Sequence, residues 1–150
     1  MHACAFLGHR NCPESIKQKL LLEIENLIVN EKVDTFYLGT QGGFDKPVYE
    51  TLCELEKKYE IKTRVVLAHL NRKNEYIYYD TKKTIFPDCV AKSPPRFAIN
   101  KRNYYLLQNS DYLICFLNNS LSNTYTFVQT AVKRKIKIIN LGTFSIERIQ

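Results

Sequence analysis

Three short segments of this chain hold side chains able to grip an anion or move a proton. The first is Gly8-His9-Arg10, which ends an apolar run. Glycine lets the backbone turn tightly there, a following helix offers free N–H groups to phosphate or carboxylate, and arginine adds a planar fork of donors. The second is Gly39-Thr40-Gln41-Gly42-Gly43-Phe44-Asp45. Three glycines beside a polar pair imply close approach of main chain, and Asp45 suits a helix N-cap. Asp45 and Glu50 are also the carboxylates able to accept ribose hydroxyls or stabilise developing positive charge. The third is Pro94 to Asn103, in which Arg96 and Arg102 stand six apart and Asn103 adjoins the second. Tyr76, Tyr78, Tyr79, Tyr104 and Tyr105 offer either base stacking or ordinary packing. Neither the dinucleotide glycine fingerprint nor the triphosphate P-loop occurs.

Something must hold these segments together, and 150 residues with 45% hydrophobic side chains suffice for one core, read as a single domain over 1–150. The net charge of +7 is uneven. Residues 1–60 hold 7 basic and 10 acidic side chains, residues 61–150 hold 15 and 5. Such a basic part suits nucleic acid, a phosphorylated small molecule or plain solubility. Five cysteines form no CxxC pair, and three histidines form no zinc spacing, so neither a disulfide scaffold nor a metal is expected. No apolar run approaches the length of a membrane span, and the expectation is a cytoplasmic protein without a cleaved leader or a membrane partner.

Apolar runs at Ala3–Leu7, Val33–Leu38, Lys62–Leu67, Tyr112–Leu117 and Ile136–Asn140 read as strands. Between them, helical spacing appears over about 13–31, 47–59, 97–109 and 123–134, with Glu54 and Lys58 forming a favourable pair. Residues 71–95 read as an extended connection with a short strand at 84–86. Alternation of strands and helices predicts an α/β, three-layer Rossmann-like domain with a mostly parallel sheet and helices on both faces. Ligands of such sheets sit beyond the carboxyl ends of the strands, where Gly8-His9-Arg10, Gly39 to Asp45 and Asn118 to Thr124 fall.

Several segments together resemble the SLOG superfamily, which includes the LOG phosphoribohydrolases and the DNA-processing protein DprA, and most of all the small bacterial SLOG proteins of Firmicutes. They are CAFLGHR at 4–10, GGFD with Glu50, YYDTKKTIFP at 78–87, PPRFAINKRN at 94–103, NSDYLICF at 109–116 and KIINL at 137–141. The resemblance implies a pocket for a nucleotide or nucleotide-derived ligand over the strand ends. Its residues would be Gly8, His9, Arg10, Gly39, Thr40, Gly42, Gly43, Asp45, Arg96, Arg102, Asn103, Asn119, Ser122, Asn123 and Thr124. The LOG enzymes carry PGGxGTxxE in the stretch matching Asn119–Phe127. Here Thr124 is kept, Ser122 and Asn123 stand in the glycine-rich part of the motif, and Phe127 stands where the catalytic Glu would be. The leading expectation is therefore a binder without a cofactor. An N-glycosidic or phosphoribosyl hydrolase using Asp45 or Glu50 is the alternative, single-stranded nucleic-acid binding a second one, and self-association into a homodimer is compatible with either.

Overall fold

The computed structural model describes residues 2–40, 42–70 and 79–149. Strand β1 (His2–Gly8) is followed by helix α1 (Ile16–Asn30), β2 (Val33–Leu38), α2 (Gly42–Glu56) and β3 (Lys62–Val66). A short β4 (Thr84–Ile85), one-turn α3 (Asp88–Ala91), α4 (Ala98–Gln108), β5 (Tyr112–Phe116), α5 (Asn123–Lys133) and β6 (Lys137–Asn140) complete the order. Every strand pairing is parallel, and the sheet order is β4-β3-β2-β1-β5-β6. Numbering runs one way from β1 to β4 and the other way from β5 to β6. The reversal falls between β1 and β5, where Leu7 pairs with Cys115 and Gly8 with Phe116.

Strands buried on both faces explain the unbroken apolar runs, since alternate side chains serve two cores. Cys4, Phe6, Ile114 and Phe116 point to the layer made by α1 and α2, against Leu20, Ile24, Leu27, Val48 and Leu52. Ala5, Leu7, Leu113 and Cys115 point to the layer of α4 and α5, against Leu106, Leu107, Phe127, Val128 and Ala131. The fold is thus the three-layer Rossmann-like α/β architecture, with a wholly parallel sheet. Burial in these layers pushes the Cys115 thiol up to about 12 and raises that of Cys4 as well, so both behave as small apolar groups.

Four local readings change. Helix α2 starts at Gly42, not at Pro47, so the second and third glycines open a helix and Asp45 lies inside its first turn instead of capping it. Pro47 sits near enough to that end to forgo a single helix hydrogen bond. Lys58 lies beyond α2 and pairs with Glu25 of α1 at 3.1 Å, not with Glu54. The connection read as extended holds α3 and two single turns of 3-10 helix besides β4. Its residues 71–78, and with them Tyr76 and Tyr78, lie outside the described residues. No helix among the described residues is long and apolar enough to cross a membrane.

Candidate ligand-binding site at the sheet switch point

A cavity of about 310 Å³ opens at the carboxyl end of β1, the strand beside which the strand order reverses. Its walls come from Phe6 to Arg10 on β1 and its loop, from Gly39 and Asp45 after β2, from Ile99, Arg102, Asn103 and Leu106 of α4, and from Ser122, Asn123 and Thr124 at the start of α5. Open parallel sheets bind ligands at such switch points because the chain departs to opposite faces there and leaves a crevice. The volume lies at the small end of the ~300–1,000 Å³ typical of ligand pockets.

Arg102 is the deepest cation in it, only 3% exposed. It shares the core-facing side of α4 with Ala98, Leu106 and Leu107, which is why its stem is buried. Its Nε donates to Asn103 Oδ1 at 2.8 Å and its Nη1 to the Val66 carbonyl at 3.4 Å. A β-carbon at Gly39 would stand 2.4 Å from Nη1 and 2.6 Å from Cζ, so the guanidinium lies across the end of β2 on a surface only glycine leaves free. Asp45, 6% exposed, reaches the same cavity from the first turn of α2, where the helix dipole favours a carboxylate.

Opposite them stands the start of α5. Ser122 caps it, its Oγ accepting the Tyr125 N–H at 3.3 Å, while the N–H groups of Asn123 and Thr124 belong to the first turn, which has no helical acceptor. A helix N-terminus, the buried Arg102 and the exposed Arg10 thus converge on one crevice. That is a setting for a phosphate or carboxylate.

The loops are tied to each other. Gly43 N–H donates to the Arg10 carbonyl at 2.8 Å, and a β-carbon there would lie 2.1 Å from that oxygen. Gly8 faces the Phe44 ring in the same way, at 2.5 Å. Across the switch point, His9 Nε2 accepts the Asn118 N–H at 2.8 Å, so the imidazole is neutral with its proton on Nδ1. Asn118 Oδ1 in turn accepts the Thr143 N–H at 2.8 Å. Asn140 binds the Leu117 N–H and carbonyl, the Gly142 N–H and the Phe144 carbonyl. The sequence marks Asn118 only as the start of a loop after a strand and gives Asn140 no site role, since their value lies in backbone partners of neighbouring loops.

Desolvation lowers the His9 pKa from its ordinary value near 6.5. The unfolded chain then binds the proton more readily, so the stability contributed by neutral His9 is complete above about 6.5 and falls as pH drops through the lower folded value. The melting midpoint should decrease between pH 7 and pH 5, and less so in His9→Gln, which keeps an acceptor for Asn118 but does not titrate. Equal slopes in the two proteins would contradict this role.

Of the residues singled out by sequence, Gly8, His9, Arg10, Gly39, Asp45, Arg102, Asn103, Ser122, Asn123 and Thr124 line the cavity together. Others do not. Glu50 pairs with Lys17 of α1 at 2.7 Å, away from the crevice. Arg96 precedes α4 and lies over the Phe97 ring at 4.7 Å. Asn119 is exposed and accepts the Leu121 N–H. Thr40 is outside the lining, its Oγ1 buried with no hydrogen-bond partner among the described residues, and Gly42 and Gly43 act by starting α2. Tyr79 packs on Tyr49, the exposed Tyr104 on Phe127 and Tyr105 on Tyr37, and none of these three rings lines the cavity. Phe127 itself is 2% exposed, in the layer between α5 and the sheet. The apolar walls Phe6, Leu7, Ile99 and Leu106 carry no sequence signal that would mark them as lining.

The model of the YpsA family, described as the YspA SLOG family, matches residues 3–147. No curated protein matches the chain.

Proposed function

The chain belongs to the YspA SLOG family, and from that membership we propose that its switch-point cavity binds a phosphorylated nucleotide or nucleotide-derived small molecule. One observation carries the reading above the rest: a cation buried as deeply as Arg102, opening on a crevice faced by a helix N-terminus. Burying a guanidinium is costly unless charge or hydrogen bonds offset it, by about 3–5 kcal/mol when a buried partner is removed. Its bonds to Asn103 and Val66 hold the planar group in place, and the face toward the cavity suits the oxygens of a phosphate. Arg10 at the rim would steer the anion, and Asp45 would accept a ribose hydroxyl. The test is calorimetry against nucleoside 5′-monophosphates and ADP-ribose. Micromolar binding to at least one, weakened about 100-fold in Arg102→Gln, supports the reading; no heat with any of them sinks it.

A second reading, cleavage of the N-glycosidic bond of a nucleotide, draws on the burial of Asp45 in the same cavity. Of the two candidate carboxylates, Glu50 lies away from the cavity and Asp45 lines it, so Asp45 is the group placed to stabilise an oxocarbenium ion or activate water there. Release of free base from a nucleoside monophosphate should then fall by about 10²-fold or more in Asp45→Asn, the effect of removing an acid/base group. A wild-type protein that binds but releases no base leaves the chain a binder.

A further inference from the structure

We propose a second anion site at the opposite end of the sheet, a cleft that takes a phosphate group through Arg134, Lys135 and Lys137. The cleft, of about 310 Å³, lies between His2 at the start of β1, Ser110 to Tyr112 at the start of β5, and the turn from α5 into β6. His2 and Gly8 stand at the two ends of β1, so at ~3.3 Å per residue the two cavities are about 20 Å apart.

Charge points to an anion first. Lys133, Arg134, Lys135 and Lys137 are four exposed cations within five positions. None of them is in an ion pair among the described residues, and the Lys137 ammonium rests 5.7 Å over the Tyr112 ring. The carboxylate lining the cleft, Asp111, is already engaged: its Oδ2 accepts the Ala3 N–H at 3.1 Å and lies 3.6 Å from His2 Nδ1. A helix C-terminus favours cations, which accounts for Lys133 and Arg134 at the end of α5. Lys135 and Lys137 lie past that end and need another reason. Ser110 adds a polar group beneath the cleft, its Oγ buried with no hydrogen-bond partner among the described residues.

The backbone points the same way. Lys135 has φ 61°, the left-handed conformation for which glycine is the usual choice after a helix. Among the described residues the other such non-glycine residue, Lys32 with φ 59°, turns its Nζ back to the Val29 carbonyl at 3.0 Å. Lys135 makes no comparable bond among the described residues and keeps its ammonium exposed at the cleft. A strained position held by a cation facing outward fits service to a ligand better than service to the fold.

The chemistry recognised is a phosphate group with two or more negative charges, whether in free pyrophosphate or in the backbone of a single-stranded nucleic acid. Both sources are tested at low salt in an Arg102→Gln background, which disables the first cavity, with calorimetry for pyrophosphate and fluorescence anisotropy for a labelled oligothymidylate. Adding Arg134→Gln and Lys137→Gln should weaken the bound probe about tenfold or more, and for the oligonucleotide should flatten the slope of log K against log salt by about 1.4. Lys135→Gly should raise the melting midpoint while weakening the same probe, a combination that a purely structural lysine would not give. Loss of pyrophosphate binding assigns the free anion, and loss with the oligonucleotide alone assigns the nucleic-acid backbone. The proposal is overturned if neither probe binds in the Arg102→Gln background, or if both bind with affinity unchanged by the cleft substitutions.

Discussion

Arg102→Gln is expected to lower the affinity of the switch-point cavity for its best nucleoside monophosphate by about 100-fold, ~2.7 kcal/mol. The magnitude follows from the hydrogen bonds that the substitution removes. A hydrogen bond to a charged group is worth roughly 1.5–3 kcal/mol net, and a buried guanidinium offers two such bonds to a phosphate in fixed geometry. Glutamine keeps part of the hydrogen-bonding capacity but is shorter and carries no charge. Arg102→Lys should recover little, because a point ammonium cannot both hold Asn103 and Val66 and face the ligand with a planar fork. Arg10→Gln, at an exposed rim position, should cost less than about tenfold, since solvent and salt screen its charge. Calorimetry ranks the three variants and circular dichroism checks that each is folded. An affinity in Arg102→Gln within twofold of wild type would contradict a phosphate seated on this guanidinium.

Gly43→Ala should destabilise the protein by about 3 kcal/mol, and lower the melting midpoint by ~6–12 °C for a chain of this size. The new methyl would stand 2.1 Å from the Arg10 carbonyl oxygen and 3.3 Å from its carbon, both main-chain atoms that no rotamer change can move aside. Relief requires the β1–α1 loop to part from α2, which also breaks the 2.8 Å bond from Gly43 N–H to that carbonyl. Gly39→Ala meets the tip of a side chain, the Arg102 guanidinium, so its principal effect should be on ligand affinity. Thermal unfolding followed by circular dichroism separates the two cases. A midpoint for Gly43→Ala within 2 °C of wild type would show that the loops are not locked as described.

The strands were legible because parallel sheets buried on both faces write themselves as unbroken apolar runs, as at Ala3–Leu7 and Tyr112–Leu117. Their alternation with helices then fixed a parallel three-layer arrangement, and the SLOG resemblance drawn from short segments agrees with the family match over residues 3–147. The start of α2 was harder. Two glycines look like loop and Pro47 like a helix beginning, yet the helix opens on the glycines and tolerates the proline within its first turns. The misplaced start left Asp45 with two readings, a helix cap and a pocket carboxylate, and its place inside the first turn of α2 removes the first of them. Between Arg96 and Arg102 the sequence did contain a signal. Arg102 lies four residues from both Ala98 and Leu106, on the apolar face of its helix, whereas Arg96 lies before the helix begins. An arginine on a core face is buried by periodicity alone. The pairing of Glu50 with Lys17 had no such trace, because nothing local tells which of two helices lies alongside.

Whether the switch-point cavity is the nucleotide site can be decided by titrating ¹⁵N-labelled protein with the nucleoside monophosphate that gives the most heat and following the amide chemical shifts. Saturable shifts are expected at Gly8 to Arg10, Gly39 and Asn123 to Tyr125, the amides around that cavity, and none at Arg134 to Lys137 beyond those caused by inorganic phosphate. Saturable shifts confined to the opposite end of the sheet, or none anywhere, would show that the nucleotide does not bind there.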